Sequence, residues 1–166
     1  MMLSLGILFF ISAFAVSYTV RKYYSLPEIT KRLNREISNS IVSLNSELHK
    51  VATGKNYKNI SFRQFLDKNY KNALKEKGIE ILVYENDSLK YWTDILFSAP
   101  VTKNSETFSK EFLESGNGFY LVTQKQTGIY TLVGIQLVRY NYKYVNEYLS
   151  QGFYRKFSAP SNVRIS

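Results

Sequence analysis

The chain contains one histidine, His49, and no cysteine. These two facts leave little with which to build a reactive centre. A Ser-His-Asp triad would have to use His49, but no nucleophile-elbow motif accompanies it. His49 reads instead as a surface helix residue, and no kinase dimerisation motif surrounds it to make it a phosphoacceptor. Without cysteine there is no thiol nucleophile, disulfide framework or Cys-based zinc site, and one histidine excludes a multi-His metal cluster. Gly116 and Gly118 form a hairpin turn and not a phosphate loop, because no Lys-Ser/Thr pair and no helix follow them. Asp67, Asp87, Asp94 and the glutamates show no motif spacing. The expectation is a chain with no catalytic residue of its own, no metal and no cofactor.

Charge is the next candidate for chemistry. Twenty-two basic residues against 13 acidic ones give a formal charge of +9. Aromatics alternate with cations in Arg139-Tyr140-Asn141-Tyr142-Lys143-Tyr144, a composition that single-strand binders use for stacking. Yet the basic residues are scattered over the whole chain, and no recognition module is visible. Nucleic acid is therefore not expected as a partner. The charge reads as a solvated surface with some attraction to anionic headgroups. At 45% apolar and 16% aromatic the composition is that of a folded domain, and 166 residues allow one domain of ordinary size.

The elements that would carry such a domain begin with Met1 to Val20, which holds no charged side chain. About 20 helical residues span about 30 Å, the thickness of a hydrocarbon core. Arg21 and Lys22 end the run, and Tyr18, Tyr23 and Tyr24 stand where interfacial aromatics belong. Residues 1–22 read as a transmembrane anchor. A cleaved signal peptide would want a basic leader and a shorter apolar core; a buried soluble helix is the other alternative. The positive-inside rule weakens for long downstream domains, so charge alone leaves the side of the membrane open.

Residues 23–54 read as a juxtamembrane helix. Ser25 can cap it, Pro27 is tolerated in the first turn, and Glu28 suits the positive helix end. Ile37, Ile41, Leu44, Leu48 and Val51 recur at spacings of four, three, four and three. This stripe fits a homodimer through the long helix, and equally a helix packed on its own domain, because it covers only about two heptads. A second helix is expected from Ser61 to about Lys77, with Phe62, Phe65, Leu66, Tyr70 and Leu74 on one face and Gly78 as its stop.

The period then changes. Ile79 to Glu85, a turn at Asn86-Asp87-Ser88 and a return over Leu89 to Trp92 make a hairpin. Thr107 to Leu113 reads as a strand or a short helix, after a stretch broken by Pro100. Ser115-Gly116-Asn117-Gly118 and Gln126-Thr127-Gly128 bound a strand over Phe119 to Lys125, and Ile129 to Tyr140 follows. That last strand is apolar on both faces and so should be central. Asn141 to Ser150 is expected to be helical, and 158–166 an irregular tail. A hairpin followed by a three-strand meander can close into a five-stranded antiparallel sheet with flanking helices, an α+β fold of PAS/Cache-like order, with the sensor-sized domain over 55–157.

Particular residues carry a resemblance. The stretch from Ile81 to Leu89, followed by Tyr91-Trp92-Thr93-Asp94, resembles the first sensor hairpin of membrane-bound histidine kinases of Bacteroides-type bacteria. Asn117-Gly118-Phe119-Tyr120, the strand from Gly128 to Val138 and the segment from Tyr142 to Phe153 match that family in the same order. The likeness runs from about Ile79 to Phe157. It implies a periplasmic signal-input region of a two-component sensor kinase, anchored by a single pass in the inner membrane. In such proteins a second transmembrane helix and cytoplasmic kinase modules follow, and 166 residues do not contain them, so the sequence resembles an N-terminal or truncated piece.

A sensor needs a place for its stimulus, an unknown small molecule or protein. The pocket candidates are Tyr91, Trp92, Tyr120, Tyr130 and Arg139. Large aromatics in strands usually pack in cores. Arg139 is the sharpest of the five, because a cation in an apolar strand wants a partner. The competing expectations are an anchored or secreted structural module without signalling, and an anchored hydrolase whose site is hidden in the sequence.

Overall fold

The computed structural model describes residues 12–18, 25–53, 62–95, 97–103, 108, 111–147, 149, 151–160 and 163. They belong to two compact units, Met1–Arg35 and Glu36–Ser166. In the first, residues 12–18 are helical and exposed, with Phe14 and Val16 both open to solvent. The expected anchor over 1–22 falls mostly outside the described residues. Among the described residues no helix is long and apolar enough to cross a membrane.

Helix α1, Leu26–Thr53, is a single 28-residue element. Its first turn closes through the Ile29 amide on the Ser25 carbonyl at 3.0 Å. Glu28 in the first turn and Lys50 in the last complement the helix dipole. The expected second helix is two: α2, Phe62–Tyr70, and α3, Ala73–Lys77. Asparagines mark the break. Asn69 turns its amide back onto the Phe65 carbonyl at 2.7 Å, and Asn72 is the N-cap of α3. Asn69 thus engages a backbone group locally, as asparagine does near helix ends, whereas Asn72 caps without a side-chain bond. α3 stops at Gly78, which adopts the left-handed conformation at φ 69°.

Six antiparallel strands follow: β1 Ile79–Glu85, β2 Ser88–Trp92, β3 Phe112–Ser115, β4 Gly118–Thr127, β5 Tyr130–Tyr140 and β6 Gly152–Phe153. The order across the sheet is β2-β1-β5-β4-β3, with β6 pairing the end of β5. The chain is thus α+β, with one antiparallel sheet and a long helix. Asn86 and Asp87, both at positive φ, make the β1–β2 turn, the geometry a two-residue hairpin loop requires. β5 is central as its two-faced apolar pattern demands, and nine of its residues are buried.

One sheet face carries the helices. Ile79, Ile81 and Val83 of β1 and Leu132 of β5 share a core with Leu44, Leu48 and Val51 of α1 and with Leu66 and Tyr70 of α2. Each fully buried leucine there contributes roughly 1.5–3 kcal/mol. The α1 stripe is therefore resolved in part. Leu44, Leu48 and Val51 pack on their own domain, while Ile37 and Ile41 are half-buried. The reason is on the sheet: Gly134 presents no side chain beneath Leu44 and Leu48, so the helix can settle onto β5.

The helix expected over 141–150 does not form among its described residues. Tyr142 stacks on Tyr140 at 5.4 Å. Asn146 bonds Leu149 with both backbone and side chain, at 3.0 and 2.7 Å, an asparagine loop in place of a helical turn. Gly152 opens the short strand β6.

Candidate functional site

Strand alternation sends Glu80, Leu82 and Tyr84 of β1 to the face opposite the helices. That face is covered by the described residues of the connector between β2 and β3, among them 97–103 and 108. The connector contributes two fully enclosed rings, Phe97 and Phe108. Phe108 meets Tyr84 edge-on at 5.9 Å, Phe97 lies 6.3 Å from Phe108, and Phe97 meets Tyr120 of β4 at 5.4 Å. Such edge-to-face pairs hold rings in a fixed mutual arrangement. The connector is also sewn to the β2 edge. Leu89 donates its amide to the Val101 carbonyl at 2.8 Å, Lys103 to that of Asp87 at 2.7 Å, and Ser88 bridges Thr102.

Glu80 lies within this aromatic group and is only 1% exposed. Its Oε2 accepts the Phe97 amide at 3.1 Å. Its Oε1 is buried and has no hydrogen-bond partner among the described residues. The two phenols nearby are committed elsewhere: Tyr84 donates to the Pro100 carbonyl at 2.9 Å and Tyr120 to Asn117 Oδ1 at 2.6 Å. Burial pushes the Glu80 carboxyl up to about 8, the Phe97 N–H opposes this, and the nearby Asp94 carboxylate adds to the rise. Burial, and then the charge of Glu80, raises Tyr84 to about 12. Tyr120 is raised for the same two leading reasons. Among the described residues no cation acts on any of the three.

No family model, curated protein or solved structure matches the chain.

The five pocket candidates read from the sequence do not converge. Tyr120 alone joins the aromatic group around Glu80. Tyr91 pairs Val83 and so faces the helices, where its hydroxyl bonds Asp67 of α2. Burial and that bond raise it to about 12. Tyr130 also lies on the helix side, edge-on to Phe62 at 4.8 Å. Trp92 is opposite Leu82 and 47% exposed at the sheet edge. Arg139 sits at the far end of β5, beside Phe153 of β6. Its guanidinium lies 5.3 Å from the Phe153 ring centroid and bonds the Val163 carbonyl. The partner an arginine wants in an apolar strand is thus a ring and a carbonyl.

The residues that sequence reasoning missed are Glu80, Tyr84, Phe97 and Phe108. One signal was available. Glu80 is the only charged residue inside the apolar run Ile79 to Tyr84, and an acid placed there in a strand that is buried on both faces must be enclosed.

Among the described residues no group of three or more His, Asp or Glu side chains could hold a metal ion. A second concave region, about 290 Å³, lies between Ser43, Lys77, Tyr154, Arg155 and Lys156. Arg155 there is already used on the Lys75 and Glu76 carbonyls at the end of α3. The Glu80 carboxyl is a proton-binding group, and the Phe97 amide bond joins it to the connector.

Proposed function

We propose that this chain is the signal-input region of a membrane-anchored sensor histidine kinase. In this reading residues 1–22 are a single-pass anchor in the inner membrane, and the PAS/Cache-like α+β domain faces the periplasm. Phosphoryl transfer belongs to modules outside these residues, and the chain itself is not an enzyme. The observation that carries the reading is the strand order β2-β1-β5-β4-β3. A long helix lies on one face of that sheet and a ring-bearing connector closes the other. This order is that of PAS-like domains, and it leaves one face for packing and the other for a stimulus. The 28-residue α1 supplies an element along which a shift can travel. A second copy would pair through the residues of α1 that its own sheet does not use, among them the half-buried Ile37 and Ile41.

Two fusions test the proposal. A reporter active only in the periplasm, joined after Ser166, is expected to be active; silence overturns the periplasmic assignment. A chimera placing the transmembrane and kinase portion of another sensor downstream of Ser166 is expected to autophosphorylate at a level that substitutions in the connector alter. A level indifferent to every such substitution overturns the sensor assignment and favours a structural module.

A further inference from the structure

We propose that Glu80 is a proton-binding latch. Protonated, it keeps the β2–β3 connector seated on the sheet through the Phe97 amide. Ionised, it gives its proton to solvent and releases the connector. The stimulus of the domain is, in this proposal, the proton itself.

The geometry requires a choice between these two states. A carboxylate buried without a cation is costly, and one amide hydrogen bond does not offset it. The titratable and charged groups that face Glu80 are Tyr84 from β1, Tyr120 from β4 and Asp94 from the connector. Asp94 repels the ionised form, and both phenols give their protons to other acceptors. An ionised Glu80 must therefore reach water at Oε1. The neighbours on β1, β4 and β5 are held by ladders that join those three strands along their length, with one irregularity between Phe119 and Tyr120. Over Glu80 itself the Phe97 amide bond and ring contacts hold the connector, with the Tyr84 and Gln124 bonds to the Pro100 and Phe108 carbonyls to either side. It is the cover that can lift. The raised position of the Glu80 carboxyl agrees with this balance and places the change between its ordinary value of 4.5 and about 8.

The latch stands on geometry alone, and only its meaning as a signal rests on the sensor reading. The test is amide hydrogen exchange in the connector around Phe97, on the full chain in detergent micelles, from pH 6 to 9, corrected for the intrinsic exchange rate. Protection of the wild-type connector is expected to fall by up to about tenfold per pH unit from pH 6 to about 8 and to level off above that. In Glu80→Gln, which keeps an acceptor for Phe97 and cannot ionise, protection should stay flat. Protection that does not change in the wild type, or that falls equally in the variant, overturns the latch. Should Glu80→Gln fail to fold, Asp94→Asn carries the test. Removing the like charge should move the pH at which the fall levels off below that of the wild type, and an unmoved plateau overturns the proposal. A working latch in a chimera whose kinase ignores pH would overturn the sensor reading and leave the latch intact.

Discussion

Gly134 of β5 lies directly beneath Leu44 of α1: a Cβ added at Gly134 would stand 2.9 Å from Leu44 Cδ1 and 3.2 Å from Leu48 Cγ. Both leucines are fully buried, so neither can swing away cheaply. Gly134→Ala should destabilise the chain by about 1–3 kcal/mol through overpacking. Leu44→Ala should cost about 2–5 kcal/mol by leaving a cavity. The double variant should cost less than the two together, because each change relieves the other. Denaturant titration of the four proteins measures this, and strict additivity would deny the contact.

Gly78 closes α3 and starts β1 under a different constraint. It has φ 69°, and a Cβ there would lie 2.6 Å from the Tyr154 ring and 2.8 Å from Gln136 Nε2. That amide nitrogen donates to the Lys77 and Gly78 carbonyls at 2.9 and 3.1 Å, so the obstruction also disturbs the α3 terminus. Gly78→Ala should cost about 2–4 kcal/mol, left-handed backbone and overpacking acting together. Gly152→Ala is the control. A Cβ there meets nothing within 4 Å, and thermal unfolding should barely shift.

The fold was largely legible because its signals are local. Asn86-Asp87 between two β-rich runs specifies a hairpin, and the apolar alternation on both faces of Ile129 to Tyr140 specifies a central strand. The α1 stripe was visible, but its partner was not, since that depended on Gly134, a residue 90 positions away from Leu44. The site was nearly illegible. Tyr91 and Trp92 are neighbours in a strand, so they face opposite sides and could never line one pocket. The connector has no periodicity, and nothing in its sequence reveals that Phe97 and Phe108 close over Glu80. Helix 141–150 failed for a local reason, the loop bonds of Asn146, which outcompete a weak helical pattern.

Glu47 ties three helices together. Tyr70 of α2 donates to its Oε2 at 2.7 Å, Lys50 of α1 lies 3.0 Å from its Oε1, and Lys77 of α3 lies 3.8 Å away. Glu47→Ala removes an acceptor of the buried Tyr70 hydroxyl together with the anion that Lys50 and Lys77 face, and should cost about 1–3 kcal/mol. Tyr70→Phe removes that one bond and keeps both lysines at Glu47 Oε1, so it should cost about half as much or less. Chemical denaturation of both variants checks the order.

The two acids Glu47 and Glu80 should give stability opposite pH dependences in separate windows. Burial raises the Glu80 carboxyl to about 8 from its ordinary 4.5. Between those values the folded chain holds a proton that the unfolded chain has lost. Stability must then fall as pH rises from about 4.5 to about 8, at up to about 1.4 kcal/mol per pH unit, and level off on either side. At Glu47 burial acts upward too, but Tyr70, Lys50 and Lys77 outweigh it and hold the carboxyl below its ordinary value. What Glu47 contributes is present above that value and lost as pH falls through its lower folded one. Denaturant midpoints measured from pH 3 to 9 should therefore show two limbs in the wild type. Glu80→Gln should flatten the limb between pH 5 and 8 and leave the acid limb in place, and Glu47→Gln should do the reverse. A Glu80→Gln profile that still declines from pH 5 to 8 would mean that another group carries the alkaline limb.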